Sequence, residues 1–235
     1  MNVLKLTLAL ILGAFALPQA GQAQTTLTGP TNGLWDTGLN KTGSLLAGSA
    51  QDQNYNLVAG PPTYHGTLVA HVVAPPLPAT WVANPATAQW ISNGGSAPTS
   101  LMGTWDFQTT LITVPINQVV TISGFIAVDD QVTITVNGNP TPVFSLTTLP
   151  NYEGVLTPFT FTFLSNNTGT DFFDYNVTQT NPTDDDIGLL ISGITGSYVP
   201  VPEPREWSLM VLLAMVGLMS VRKFKSHFSR SPVLA

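Results

Sequence analysis

Between residues 100 and 200 the chain alternates polar and apolar side chains in short runs. Val132-Thr-Ile-Thr-Val136 alternates strictly and meets Asn137-Gly138, the strongest short hairpin signal. That pattern predicts antiparallel strands at 132–136 and 139–146. Phe159-Thr-Phe-Thr-Phe163 alternates again and ends at Asn166-Asn167-Thr168-Gly169. Leu111 to Val114, Val119 to Ile126, Phe172 to Val177 and Ile187 to Ile194 are further strand candidates, with Leu68 to Val73 before them. Turn residues recur about every ten positions, the spacing of a sandwich or jelly roll. Ala74 to Thr99 is rich in Pro and Ala and reads as a long loop. The expectation is an all-β fold, a β-sandwich or jelly-roll ectodomain over residues 24–200, with helices only at the two ends of the chain.

Those ends differ from the middle. Lys5 is followed by an apolar run from Leu6 to Leu17, broken by Pro18, and Gly21-Gln22-Ala23 places small residues for cleavage between Ala23 and Gln24. Residues 1–23 thus read as a secretory signal peptide. Trp207 to Val221 is 15 residues without a charge. As a helix it covers roughly 22 Å, short of the roughly 30 Å hydrocarbon core but flanked as a span should be. Trp207 suits one interface, and Arg222, Lys223, Lys225 and Arg230 suit a cytoplasmic side. A single C-terminal transmembrane helix at 207–221 with a basic cluster at 222–230 is expected. Everything between the two apolar segments then lies outside the cytoplasm.

Composition supports a turn-rich β domain. The 235 residues include 31 Thr, 20 Gly and 19 Pro. Cys is absent, which excludes disulfides, Cys-ligated zinc and a Cys nucleophile. The net charge of −6 hides an uneven distribution. From Gln24 to Pro204, Lys41 is the single base against twelve acids, a net −11. A surface of that sign argues against nucleic acid and is compatible with neutral glycans or cations.

Val201-Pro202-Glu203-Pro204, a short apolar helix and a terminal basic cluster, in that order, resemble the PEP-CTERM sorting signal. The resemblance covers residues 201–230. It implies an exported substrate of an exosortase, with Pro202, Glu203 and Pro204 as the recognised residues. Arg205-Glu206 and the continuation to Ala235 depart from the usual pattern. The prolines hold the triplet extended and remove two amide donors, as suits a segment entering a protease groove. A second resemblance lies in the middle. Thr104-Trp105-Asp106-Phe107, Ile122-Ser-Gly-Phe125, Ala127-Val-Asp-Asp130, Val136-Asn-Gly138, Phe159-Thr-Phe161 and Ile187 to Gly193 are similar to galactose-binding-like jelly rolls.

Candidate chemistry is sparse. Asp184-Asp185-Asp186 read first as a solvated turn; they are also the candidate calcium ligands, since loop carboxylates supply the oxygens calcium wants. No other cofactor is expected. Asp129-Asp130 reads as a strand corner in which one acid caps backbone amides. Asp171 and Asp174 read as solvated strand ends. His65 and His71 do not match a metal spacing. Trp81 and Trp90, in the loop-rich stretch, are candidates for stacking on sugar rings, with core packing as the other use of such side chains. The Asn-x-Thr triplets at Asn40, Asn166 and Asn176 match glycosylation acceptors. No nucleophile elbow, zinc-protease helix or phosphate loop occurs, so no catalytic residue is assigned. The expected protein is exported and non-enzymatic, structural, adhesive or glycan-contacting. Its partners are signal peptidase, exosortase, the inner membrane and extracellular polysaccharide. Its final location is the cell surface or beyond. A secreted glycan-active hydrolase on the same scaffold is the alternative.

Overall fold

The computed structural model describes residues 24–94, 101–148, 151–180 and 186–199, together with Met215. Gln24–Val199 is one compact unit. The signal-peptide, sorting-motif, transmembrane and basic-cluster readings, and Asp184 and Asp185, lie outside the described residues. Among the described residues no helix is long and apolar enough to cross a membrane.

Thirteen strands and one four-residue helix make up the described unit. They are β1 (Thr25–Leu27), α1 (Gly29–Asn32), β2 (Tyr55–Ala59), β3 (His71–Val72), β4 (Ile91–Ser92), β5 (Gly103–Thr109) and β6 (Ile112–Thr113). They continue as β7 (Val119–Asp129), β8 (Gln131–Val136), β9 (Phe144–Leu146), β10 (Thr157–Leu164), β11 (Thr170–Asp171), β12 (Phe173–Gln179) and β13 (Gly188–Val199). One sheet runs β10-β7-β13-β4-β3 with β1 also on β13; the other runs β2-β5-β12-β8-β9, and β6 pairs β11. The ladders are antiparallel. The domain is an all-β, two-sheet sandwich.

Alternation decides which face each strand buries. Trp105 and Phe107 of β5, Tyr175 and Val177 of β12, and Val132 and Ile134 of β8 meet Ile122 and Ile126 of β7 and Phe159 and Phe161 of β10 in the main core. Several outward positions where β7 pairs β10 carry hydroxyls instead, beside the exposed Phe125. Ser123 faces Thr160 at 3.0 Å and Thr121 faces Thr162 at 3.5 Å, on the solvent side.

One half of that sheet breaks the alternation. Ala127 of β7 and Leu190 of β13 point outward yet are buried, because the 73–90 segment folds over them. This explains the near-continuous apolar runs there: both faces are covered. Trp81 and Trp90 stack on each other in that second core, with centroids 4.2 Å apart. Their ring nitrogens donate to Asp129 Oδ2 at 2.8 Å and to Val82 O at 2.8 Å. The sugar-stacking reading of these two residues is therefore corrected. Trp90 has no exposed surface and Trp81 almost none, so neither offers a ring face.

Other expectations shift for local reasons. The hairpin forms, and Asn137 and Gly138 both take positive φ, as the turn requires. Its second strand starts only at Phe144, because Pro140 and Pro142 cannot donate to the ladder. Ile91–Ser92 is a strand inside the predicted loop. Leu68 to Val73 shrinks to His71–Val72, and Leu111 to Val114 to Ile112–Thr113. Asp171 and Asp174 are buried, not solvated. Asp171 accepts from Asn137 Nδ2 at 2.5 Å and from Asn166 N, while Asp174 accepts from Gln108, Thr135 and Gly138 N. At the Asp129-Asp130 corner, Asp130 Oδ2 takes both the amide and the hydroxyl of Thr180 at 2.9 Å, closing the end of β12.

Candidate functional site, a groove beside Trp35

A groove of about 580 Å³ opens where the 29–41 segment crosses the edge of the five-stranded sheet. Trp35, Lys41, Asn56, Gln108 and Thr110 are the side chains that give it chemistry, while the buried Thr109 hydroxyl accepts the Phe173 amide at 3.0 Å. Trp35 is half-buried, unlike the indoles of Trp81, Trp90 and Trp105. Two glycines make room for it. A Cβ on Gly29 would stand 2.4–2.7 Å from the six-membered ring, and one on Gly43 would stand 3.2 Å from it. Such closeness is possible only with no side chain, so the indole rests directly on backbone.

The segment that carries Trp35 is pinned from several sides. Tyr55 of β2 donates its hydroxyl to Trp35 O at 2.8 Å. Burial raises the Tyr55 pKa well above its ordinary value, so this phenol remains a donor across the biological pH range. The Asp36 carboxylate accepts the amides of Gly193 at 2.9 Å and Ile194 at 2.8 Å. These are the residues of the bulge in β13, where the register slips between Ser192 and Thr195. A bulge leaves amides without ladder partners, and Asp36 supplies acceptors for both. Burial nonetheless pushes its pKa upward. Thr37 is held between Gln89 O and Ile191 O, and Asn32 Nδ2 reaches Thr113 O at 3.0 Å. Asp52 accepts three amides, from Gly38 at 2.6 Å, Asn54 at 2.7 Å and Tyr55 at 2.9 Å. Burial outweighs those bonds and lifts its pKa to about 6.

The sheet side of the groove follows from register. Asn56 of β2 lies opposite Gln108 of β5, Gln108 opposite Asp174 of β12, and Asp174 opposite Thr135 of β8. This gives one polar row across the outer face. Gln108 donates to Asp174 Oδ1 at 2.8 Å, which fixes the amide that borders the groove. In the next row Asp106 faces Asn176, which faces Thr133. Asp106 Oδ1 is buried without a donor among the described residues. Its pKa is raised to about 6, first by burial and then by the neighbouring charge of Asp174.

The residues singled out in the sequence fall elsewhere. Trp81 and Trp90 belong to the second core. Asp186 contributes its backbone carbonyl to Gln179 Nε2 at 2.6 Å. Among the described residues no group of three or more His, Asp and Glu is placed to hold a metal. His71 Nδ1 lies 3.2 Å from Ser49 O, while His65 is exposed. The triplets at Asn40 and Asn166 form Asx turns, each asparagine oxygen accepting the amide and hydroxyl of the threonine two residues on. Trp35 was not foreseen as a site residue. Its signal is the glycine spacing around it, at Gly29, Gly33, Gly38 and Gly43.

No family model matches the chain, and no curated protein does. Among solved structures the chain is similar to one described as "CBM4 structure and function". The identity is 14% over 78% of this chain and 92% of that one, with a TM-score of 0.31. It is also similar to the K3 cleaved adhesin domain of Lys-gingipain from Porphyromonas gingivalis w83. There the identity is 11% over 74% of this chain and 99% of that one, with a TM-score of 0.32.

Proposed function

We propose that this is an exported, non-enzymatic surface or matrix protein whose jelly-roll-like domain contacts glycan through the groove beside Trp35. Residues 1–23 direct export. Residues 201–230 act as a sorting signal of the PEP-CTERM kind, read by an exosortase and holding the chain in the inner membrane until then. Support for these end segments is the order of their parts in the sequence.

The groove is the observation that carries the glycan reading. A sugar ring presents an apolar face and a rim of hydroxyls. The half-buried indole of Trp35 answers the face, while the amides of Asn56 and Gln108 and the hydroxyl of Thr110 answer the rim. The pins on residues 32–38 hold the indole in place before a ligand arrives, which lowers the ordering cost of binding. Affinity electrophoresis of the full chain through gels containing single polysaccharides tests this. Wild type is expected to be retarded by at least one of them, and Trp35→Ala to run freely through all. Equal migration of the two proteins in every gel contradicts the reading.

The hydrolytic alternative has one specific observation in its favour, a pair of neighbouring carboxyl groups, Asp106 and Asp174, in which burial raises the pKa of Asp106. Against it, both oxygens of Asp174 are occupied by donors from Gln108, Thr135 and Gly138. We read the pair as part of the sheet's polar face.

A further inference from the structure

We infer that the groove selects a sugar residue bearing a carboxylate, a uronic acid, and that Lys41 makes the selection; this rests on the glycan-contacting reading above. The starting observation is one of charge. From Gln24 to Pro204 there is a single base among twelve acids, and that base lines the groove. With acids in such excess, a lysine would ordinarily be found beside a carboxylate. Among the described residues none is bonded to Lys41, whose one hydrogen bond runs from its backbone amide to Gln53 Oε1 at 3.2 Å. No acidic side chain lines the groove either. The groove is thus a cationic spot on an anionic domain, with an unused ammonium.

The backbone that carries that ammonium is built rather than incidental. Asn40 Oδ1 accepts the amide of Thr42 at 2.9 Å, its hydroxyl at 2.7 Å, and the amide of Ser44 at 3.0 Å. The amide of Gly43 reaches Asn40 O at 3.0 Å, and Leu39 bridges to Leu45. The turn that carries Lys41 is therefore fixed, and only the side chain's own rotamers must be ordered on binding. Gly43 of the same turn lies against the Trp35 ring, so the backbone that carries Lys41 and the indole belong to one unit.

The number and kind of donors choose the anion. Phosphate and sulfate sites usually gather several cations, a guanidinium fork or a run of backbone amides. Here one ammonium stands among neutral amides and hydroxyls. A singly charged carboxylate is neutralised by it, whereas a phosphate monoester would leave excess negative charge on an already acidic surface. A free small anion lacks the ring that Trp35 would cover. A uronic acid within a glycan presents both features. Asp174 stands behind Gln108 with its oxygens taken by Gln108, Thr135 and Gly138, and acids beyond about 8 Å are largely screened at physiological salt. An exposed pair of this kind contributes about 0.2–1 kcal/mol, so a preference of up to about fivefold is expected.

The test is isothermal titration of the full chain in detergent micelles at physiological salt. The probes are hexamannuronate and its carboxyl-reduced, neutral counterpart. Wild type is expected to bind the acidic hexamer about three- to fivefold more tightly. Lys41→Gln is expected to bind both hexamers equally, and Lys41→Arg to keep the preference. Trp35→Ala is expected to bind neither. Equal binding of the two hexamers by wild type, or a preference that survives Lys41→Gln, overturns the role of Lys41. If the neutral hexamer still depends on Trp35, the glycan reading stands without it. Binding of neither hexamer by wild type overturns the uronic-acid inference while retardation by another polysaccharide would still support the glycan reading. Binding that Trp35→Ala leaves intact overturns both.

Discussion

Asp36 does two jobs through two oxygens. It closes the bulge of β13, and it fixes the backbone next to Trp35. Replacing it with Ala returns the exposed Gly193 amide to water and strands the part-buried Ile194 amide, a loss of about 1–3 kcal/mol. Asp36→Ala is therefore expected to lower the unfolding free energy by about 1–3 kcal/mol and to weaken glycan retention as well; denaturant titration and affinity electrophoresis check the two effects. Asp106 gives a pH signature. Its folded pKa, about 6, stands above the ordinary 3.8, so the native state holds its proton more tightly than the unfolded state. Stability from this group is present at low pH and is lost as pH rises between about 4 and 6. Asn at this position resembles the protonated acid at every pH. Asp106→Asn should raise the unfolding midpoint at pH 7.5 and leave it nearly unchanged at pH 4. A midpoint lowered at pH 7.5 would show that the carboxylate there stabilises the fold. None of these roles was legible beforehand, because they depend on which strand lies beside which. Asp171 and Asp174 looked like solvated strand ends because the sequence does not display the Asn137 turn packed against them.

At the scale of elements the sequence was more informative. The Phe159 and Val132 runs announce strands because alternation is a local property. The hairpin at Asn137-Gly138 was legible too, though its partner strand begins late for reasons also written locally, in Pro140 and Pro142. Ile91–Ser92 escaped notice because two residues carry no period. The second core escaped because the continuous apolar runs in β7 and β13 do not say what covers them. Trp81 is that cover, and Gly188 admits it: a Cβ there would stand 2.2 Å from the indole. Gly188→Ala must displace Trp81 and its bond to Asp129. A loss of about 2–3 kcal/mol is expected, within the usual cost of overpacking a core, with little change in glycan binding, since the groove lies on the other sheet. Unchanged stability would mean that the 73–90 segment is not held as described.

At the scale of the whole molecule the proposal for the end segments rests on an order of parts in the sequence alone. On the proposed reading, Glu203 is the residue that would separate a sorted protein from a merely anchored one. Glu203→Gln leaves the apolar span and basic cluster intact, so insertion should persist. In an exosortase-positive host that variant is expected to stay full length in the inner membrane, while wild type loses the residues beyond about Pro204. Identical processing, read by intact mass, would leave a plain anchor. The groove was hidden by contrast, although Lys41 stood out as the lone base, because Trp35 and Lys41 gain meaning only beside Asn56 and Gln108 from distant strands. The most direct measurement is hydrogen–deuterium exchange of the full chain with and without saturating hexamannuronate. Slowed exchange is expected across residues 28–44, 55–59 and 107–111, and nowhere on the hydroxyl-lined face of β7, β10 and β13. Protection centred on that face, or no protection at the groove, would contradict a glycan site beside Trp35.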